Sequence, residues 1–139
     1  MSKEEIKKVW EFDPVIYPFR LWVMKKPTYK DIADNFFELE SDYTTYEIQE
    51  TVYDNLVKKS YAFTYTVARK PNKQIGAFVA LLDTSKATAP MIAHEASHVV
   101  DFIIEHCGLE SNTYQTGETR AYLIAWVVDC INKVKRGVV

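Results

Sequence analysis

The stretch from Thr88 to Cys107 is the feature that most constrains the fold of this chain. Apolar residues recur in it at intervals of three and four, as on one face of an α-helix. Thr88 is a suitable N-cap, Pro90 falls in the first turn, and Gly108 can end the helix. A loop follows, and a second helix is predicted over 117–135. Each of these helices has one apolar face to bury, so the rest of the chain must supply a surface that covers it.

The residues before these helices predict mainly strands. Val15–Met24 is rich in β-branched and aromatic residues, and Pro18 would confine that strand to a sheet edge or a bulge. Tyr61–Ala68 and Ile75–Leu82 flank the polar sequence RKPNKQ and are predicted to form a β-hairpin. A sheet is therefore followed by two long helices. This order predicts an α+β fold with a mostly antiparallel sheet.

One helix is predicted before the hairpin. Thr28 and Asp31 have the spacing of a capping box, and the apolar residues after them predict a helix over roughly 28–40. The next stretch, 43–58, is ambiguous. Its β-branched and aromatic residues favour a strand, whereas Ile48 and Val52 would equally serve one face of a helix.

Length and composition exclude several classes of protein. With 139 residues and no linker-like stretch, the chain is predicted to be a single domain, 1–139, with residues 1–10 as a flexible arm. Seventeen basic and 19 acidic residues give a net charge of −2, so no surface for nucleic acid is expected. No apolar run approaches the ~20 residues of a membrane span, and no signal peptide is recognisable. The expected location is the cytoplasm, without membrane binding.

His94, Glu95 and His98 form an HExxH motif within the first long helix. Residues four apart on a helix point in nearly the same direction, so both imidazoles can reach one metal ion. Glu95 then projects to the flank, where a metal-activated water would be. Alternatively, this is an amphipathic helix whose wet face carries two histidines. The stripe that also contains Asp101 and Glu105 lies opposite the apolar arc, so it faces either bulk water or a cleft.

A catalytic zinc site needs a third protein ligand and keeps its fourth position for water. A metzincin would have a histidine six residues after His98, but Ile104 is there, which excludes that pattern. Glu118 follows His98 by 20 residues, at the start of the second helix, which can return antiparallel to the first. Small residues after Glu118 would let that face approach closely. Glu118 is therefore the predicted third ligand, beside His94 and His98.

These four residues resemble the site of the gluzincin branch of zinc metallopeptidases, whose thermolysin-like members use a similar gap before the ligand glutamate. The order of a sheet and then two helices is similar to that of minimal gluzincins, over roughly residues 60–135. The resemblance implies a small zincin-like domain. Gluzincins often have an aspartate four residues after the ligand glutamate to orient a histidine, whereas this chain has Tyr122 there. Asp101 or Asp129 is the alternative source of that hydrogen bond.

The resemblance implies a zinc metalloendopeptidase that acts on a peptide or protein substrate. One catalytic Zn²⁺ would be held by the two motif histidines and Glu118, and Glu95 would be the general base that passes a proton from the water to the leaving amine. Tyr122 or Tyr114 would stabilise the oxyanion. Ile75–Leu82 would correspond to the edge strand that pairs with an extended substrate in zincins; alternatively, it is an ordinary core strand. The sequence does not determine the oligomeric state.

Two other functions are compatible with the sequence. Small zincin-like chains also occur in phages and mobile elements, so the fold could have a structural, regulatory or interaction role with little or no proteolysis. In a third interpretation the motif is accidental and the domain is only structural. The position of the Glu118 carboxylate separates these interpretations, because the ligands of one zinc ion lie within ~2.0–2.2 Å of a common point.

Overall fold

A computed structural model describes residues 8–109 and 114–138 of the chain, which contain six strands in one mixed sheet. The strands are Trp10–Phe12 (β1), Arg20–Lys25 (β2), Phe36–Leu39 (β3), Thr45–Glu47 (β4), Ala62–Arg69 (β5) and Ile75–Leu81 (β6). Their order across the sheet is β1-β2-β6-β5-β3-β4. The pair β2 and β6 is parallel, and all other neighbours are antiparallel.

The described helices cover both faces of this sheet. They are Tyr29–Asn35 (α1), Glu50–Lys59 (α2), Ala89–Cys107 (α3) and Tyr114–Arg136 (α4), with a short 3-10 turn at Thr84–Lys86. One core lies between the sheet and the pair α3 and α4, and a second core lies on the face of α1 and α2. In β2, Leu21 faces the first core and Trp22 the second. Because both sheet faces are covered, β2 and β6 are continuous apolar runs. The predicted α+β class with a mostly antiparallel sheet is confirmed.

The first predicted strand is shorter than expected and lies elsewhere in the sheet. Residues 15–18 form a bend, and β2 begins only at Arg20. Val15 adopts a left-handed φ of 70°, and its N–H donates to the side chain of Asp13, so the chain turns there. Pro18 precedes the strand and does not restrict it. β2 is an interior strand between β1 and β6, so the predicted edge position is wrong.

The helix predicted over 28–40 is correct only in its first half. Thr28 and Asp31 form the predicted capping box, in which each side chain accepts a hydrogen bond from the other's backbone N–H. The helix ends at Asn35, and Phe36–Leu39 forms β3, which pairs with β4 and β5. The ambiguous stretch 43–58 contains both β4 and α2.

The predicted hairpin is confirmed, but its position in the sheet differs from the prediction. β5 and β6 pair antiparallel, from Ala62 opposite Leu81 to Ala68 opposite Ile75. Because β6 also pairs with β2, both of its edges are occupied, so the prediction that Ile75–Leu82 is an edge strand is wrong. β2 and β6 approach closely at Gly76, where a Cβ atom would lie 2.2 Å from the carbonyl oxygen of Arg20.

Both long helices are confirmed. α3 has Thr88 as N-cap, although without a side-chain cap hydrogen bond, and it ends at Gly108, whose left-handed φ of 66° suits glycine. α4 begins at Tyr114, three residues earlier than predicted. Most of the predicted flexible arm lies outside the described residues, and Trp10 belongs to β1. Among the described residues, no helix combines the length and the apolar content that crossing a membrane requires.

Candidate metal centre

The two histidines of the motif converge on the exposed side of α3. Their Nε2 atoms are 3.2 Å apart, and the rings are nearly perpendicular. Two Zn–N bonds of about 2.0–2.1 Å at a tetrahedral angle would separate the nitrogens by about 3.3 Å. Without an ion, the same distance suits a hydrogen bond from one ring to the other. His94 and His98 therefore have the spacing that two ligands of one zinc ion require.

Glu95 lies on the other side of this pair and faces the sheet. Glu95 is only 6% exposed, and no other polar or charged residue in the described part of the chain is buried. The hydroxyl of Thr64, on β5, donates a hydrogen bond of 2.5 Å to Glu95 Oε2. Burial of a carboxylate costs several kcal/mol, and a hydrogen bond offsets part of this cost. Glu95 follows the buried Ile92 by three residues and precedes the buried Val99 by four, so its position on the helix places it next to the core face.

The rest of α3 follows the predicted amphipathic pattern. The apolar arc of α3 that was predicted to face the core is buried, except for Ala93, which is exposed. Its buried residues are Ile92, Ala96, Val99, Val100, Ile103 and Ile104. The opposite stripe, which contains Asp101 and Glu105 as well as the two histidines, is exposed. Glu95 lies at the border between the two faces. The motif therefore spans the boundary between the core and the surface.

The predicted third ligand lies on α4. Glu118 is exposed in the first turns of α4, and so are Ala121 and Ala125, the small residues expected to allow close approach. Across residues 8–109 and 114–138, no three His, Cys, Asp or Glu side chains are grouped to hold a metal ion. Tyr122 is 74% exposed on the same face. The side chain of Tyr114 lies outside the described residues. The role of Glu118 as a ligand stays a prediction.

Arg120 of α4 makes side-chain hydrogen bonds to the motif helix. Its guanidinium donates to the Asp101 carboxylate at 2.7 Å and to the Ser97 hydroxyl at 3.3 Å. Asp129 is likewise paired, with Lys133 at 3.0 Å. Both aspartates proposed to orient a ligand histidine thus pair with a cation, and their hydrogen bond to a histidine stays a prediction. The contact of Arg120 fixes the beginning of α4 beside the turn of α3 that carries His98.

Two residues of the site were missed by sequence reasoning. A signal for Thr64 existed: the alternation of β5 places it with Ala62 on the face toward α3, where a polar side chain needs a partner. Arg120 had no comparable signal, since a basic residue on an amphipathic helix is usually solvated.

No model of a known protein family matches this chain, and neither a curated protein nor a solved structure matches it.

Proposed function

We propose that this chain is a zinc-dependent metallopeptidase of the gluzincin type with a zincin-like fold. The observation that carries the proposal is the arrangement around Glu95. This buried carboxylate is held by Thr64, and on the same helix two imidazole nitrogens lie 3.2 Å apart. A base beside a pair of metal-binding nitrogens is what metal-assisted hydrolysis needs.

The residues of the chain would divide the work as follows. His94 and His98 would hold zinc, with Glu118 as the predicted third ligand. Zinc, when bound, supplies a Lewis acid and lowers the pKa of water toward ~7. Glu95 would accept the proton of the attacking water and deliver it to the leaving amine. Thr64 would keep that carboxylate oriented, because its hydroxyl already donates to Oε2.

The oxyanion-stabilising group stays a prediction. Tyr122 is one helical turn after Glu118, and its high exposure leaves the phenol accessible to a bound substrate. Tyr114 is the other candidate. Both belong to α4, so either would act from the helix that carries the predicted third ligand.

The proposal is tested by zinc analysis and peptide cleavage with matched variants. The parent protein should bind close to one zinc ion per chain and cleave members of a peptide library. Glu95→Gln should keep the zinc and lose turnover, because glutamine cannot accept the proton. His94→Gln should lose the zinc, whereas His106→Gln, the matched control on the same helix, should retain it.

Two results would count against the proposal. Turnover by Glu95→Gln at the parental rate would exclude this glutamate as the base. A parent protein that binds no zinc would favour the alternative of a zincin-like chain with an interaction or regulatory role. Loss of zinc in Glu118→Gln, with Glu50→Gln as the exposed control on α2, would support Glu118 as the third ligand.

A further inference from the structure

A pocket of about 190 Å³ lies beside the motif, between the end of α3 and the β3–β4 turn. Thr66 lines it from β5, two residues beyond Thr64 and on the same strand face. Phe102 lines it from α3, seven residues after Glu95. Two strand residues span about 7 Å, and seven helical residues rise about 10 Å. The backbone of these two lining residues is therefore about 7–10 Å from that of Thr64 and Glu95.

This distance suits a side chain of an extended peptide. An extended chain advances about 3.3 Å per residue, so a residue two or three positions from the reacting bond would reach the pocket. β3 pairs with β5 only from Val67 onward. Along residues 62–66, the edge of β5 that faces away from β6 therefore has no strand partner among the described residues. An extended peptide can lie along this part of β5.

The lining of the pocket combines apolar walls with two carboxylates. Leu39 and Phe102 supply apolar surface, and Glu40 and Glu105 supply negative charge. Neither glutamate forms a salt bridge with another described residue. The segment 38–47 contains four acidic residues and no basic one; Glu47 pairs with Lys70 at 2.6 Å, and a hydrogen bond from Thr44 lowers the pKa of the nearby Asp42 carboxyl. The field in and around the pocket is therefore negative.

Contacts between the β3–β4 turn and α3 bound the pocket. Tyr43 adopts a left-handed φ of 65° in the β3–β4 turn, which is uncommon for an aromatic residue. Its hydroxyl lies 3.0 Å from Nδ1 of His106, on the last turn of α3, and the His106 ring packs against the buried Phe19. These contacts tie the turn to the helix, so the cavity is bounded on both sides.

We propose that this pocket binds the side chain of a lysine or arginine of the peptide substrate, two or three residues from the reacting bond. This inference rests on the proposed peptidase function. The aliphatic part of such a side chain would pack against Leu39 and Phe102, while its cation pairs with Glu40 and Glu105. A neutral side chain of the same length would gain only the apolar contacts.

The first experiment measures cleavage by the zinc-loaded protein. Alanine-based peptides would carry lysine, norleucine or glutamate at each position in turn. At one position, lysine should raise kcat/KM about tenfold or more over norleucine. The double variant Glu40→Gln/Glu105→Gln should reduce this ratio to about threefold or less, and Glu50→Gln on α2 should leave it unchanged. Cleavage with equal rates for lysine and norleucine would overturn the pocket and leave the peptidase standing.

The second experiment measures binding without turnover. Fluorescence anisotropy of the same labelled peptides would be followed with Glu95→Gln, which keeps the pocket but lacks the base. Lysine peptides should bind about tenfold more tightly than norleucine peptides, and adding Glu105→Gln should weaken that preference. Such binding by a chain whose parent cleaves nothing would refute the peptidase and support the pocket. Equal binding of both peptides, or none, would overturn the pocket.

Discussion

The hydrogen bond between Thr64 and Glu95 allows a quantitative test of the site that needs no substrate. Thr64→Val keeps the shape of the side chain and removes the hydroxyl that donates to the buried carboxylate. A hydrogen bond to a charged group contributes about 1.5–3 kcal/mol, and Glu95 is almost fully buried, so water cannot replace the donor. We expect the free energy of unfolding to fall by about 2 kcal/mol.

Thermal and urea unfolding both measure this loss. Proteins gain about 2.1 cal/mol/K of unfolding entropy per residue, so for 139 residues a loss of about 2 kcal/mol lowers Tm by about 7 °C. Thr66→Val is the matched control, because Thr66 lies on the same face of β5 and makes no hydrogen bond to a charged group among the described residues. Its effect should stay within about 0.5 kcal/mol.

A double-mutant cycle assigns the effect to the charge of Glu95. Glutamine at position 95 can still accept the hydrogen bond from Thr64 but carries no charge, so Thr64→Val should cost only about 1 kcal/mol in that background. The coupling energy between the two positions is then about 1 kcal/mol. A Thr64→Val variant as stable as the parent, or a coupling energy of zero, would refute the argument that this bond holds the carboxylate.

Two further predictions concern the fold around the site. Gly76→Ala should lower the free energy of unfolding in urea by about 3 kcal/mol, because the new Cβ would lie 2.2 Å from a backbone oxygen of β2. Gly117→Ala is the control, because Gly117 lies in α4 with open space around it, and this variant should raise the free energy of unfolding by about 0.5–1 kcal/mol. A change of the same sign in both variants would contradict the packing argument. Burial raises the pKa of Cys130 to about 12 in the folded protein, so the thiol ionises at lower pH in the unfolded chain. The stability that this buried thiol contributes is therefore complete below about pH 8.5 and is lost as the pH rises toward 12. Between about pH 8 and pH 11 the parent should therefore lose stability faster than Cys130→Ala, and parallel curves would exclude this linkage.

Local patterns predicted the parts of the fold that depend on neighbours in sequence. The capping box of Thr28 and Asp31, the β5–β6 hairpin and the ends of α3 all follow from residues a few positions apart. The prediction failed where distant strands decide the conformation. Phe36–Leu39 has helical periodicity, but its backbone hydrogen bonds go to β4 and β5, and such pairing overrides local preference.

The candidate site divides in the same way. The i, i+4 spacing of His94 and His98 is a property of one helix, and the structure brings their Nε2 atoms together as that spacing predicts. The hydrogen bond that holds the buried Glu95 comes from Thr64, 31 positions earlier in the chain, and helical periodicity does not predict a contact over that separation. The exposed position of Glu118 likewise depends on how α4 packs against α3.

The amino-acid sequence by itself determined the α+β class, the two long helices and the pair of imidazoles that face one point. These features rest on dihedral preferences and on the 3.6-residue period, which act over short stretches of chain. Only the tertiary structure decided that β6 is interior, that Arg120 joins α4 to α3, and that a carboxylate and a hydroxyl meet beneath the motif. Strand order and helix packing depend on which apolar faces cover one another, and many distant residues settle that together.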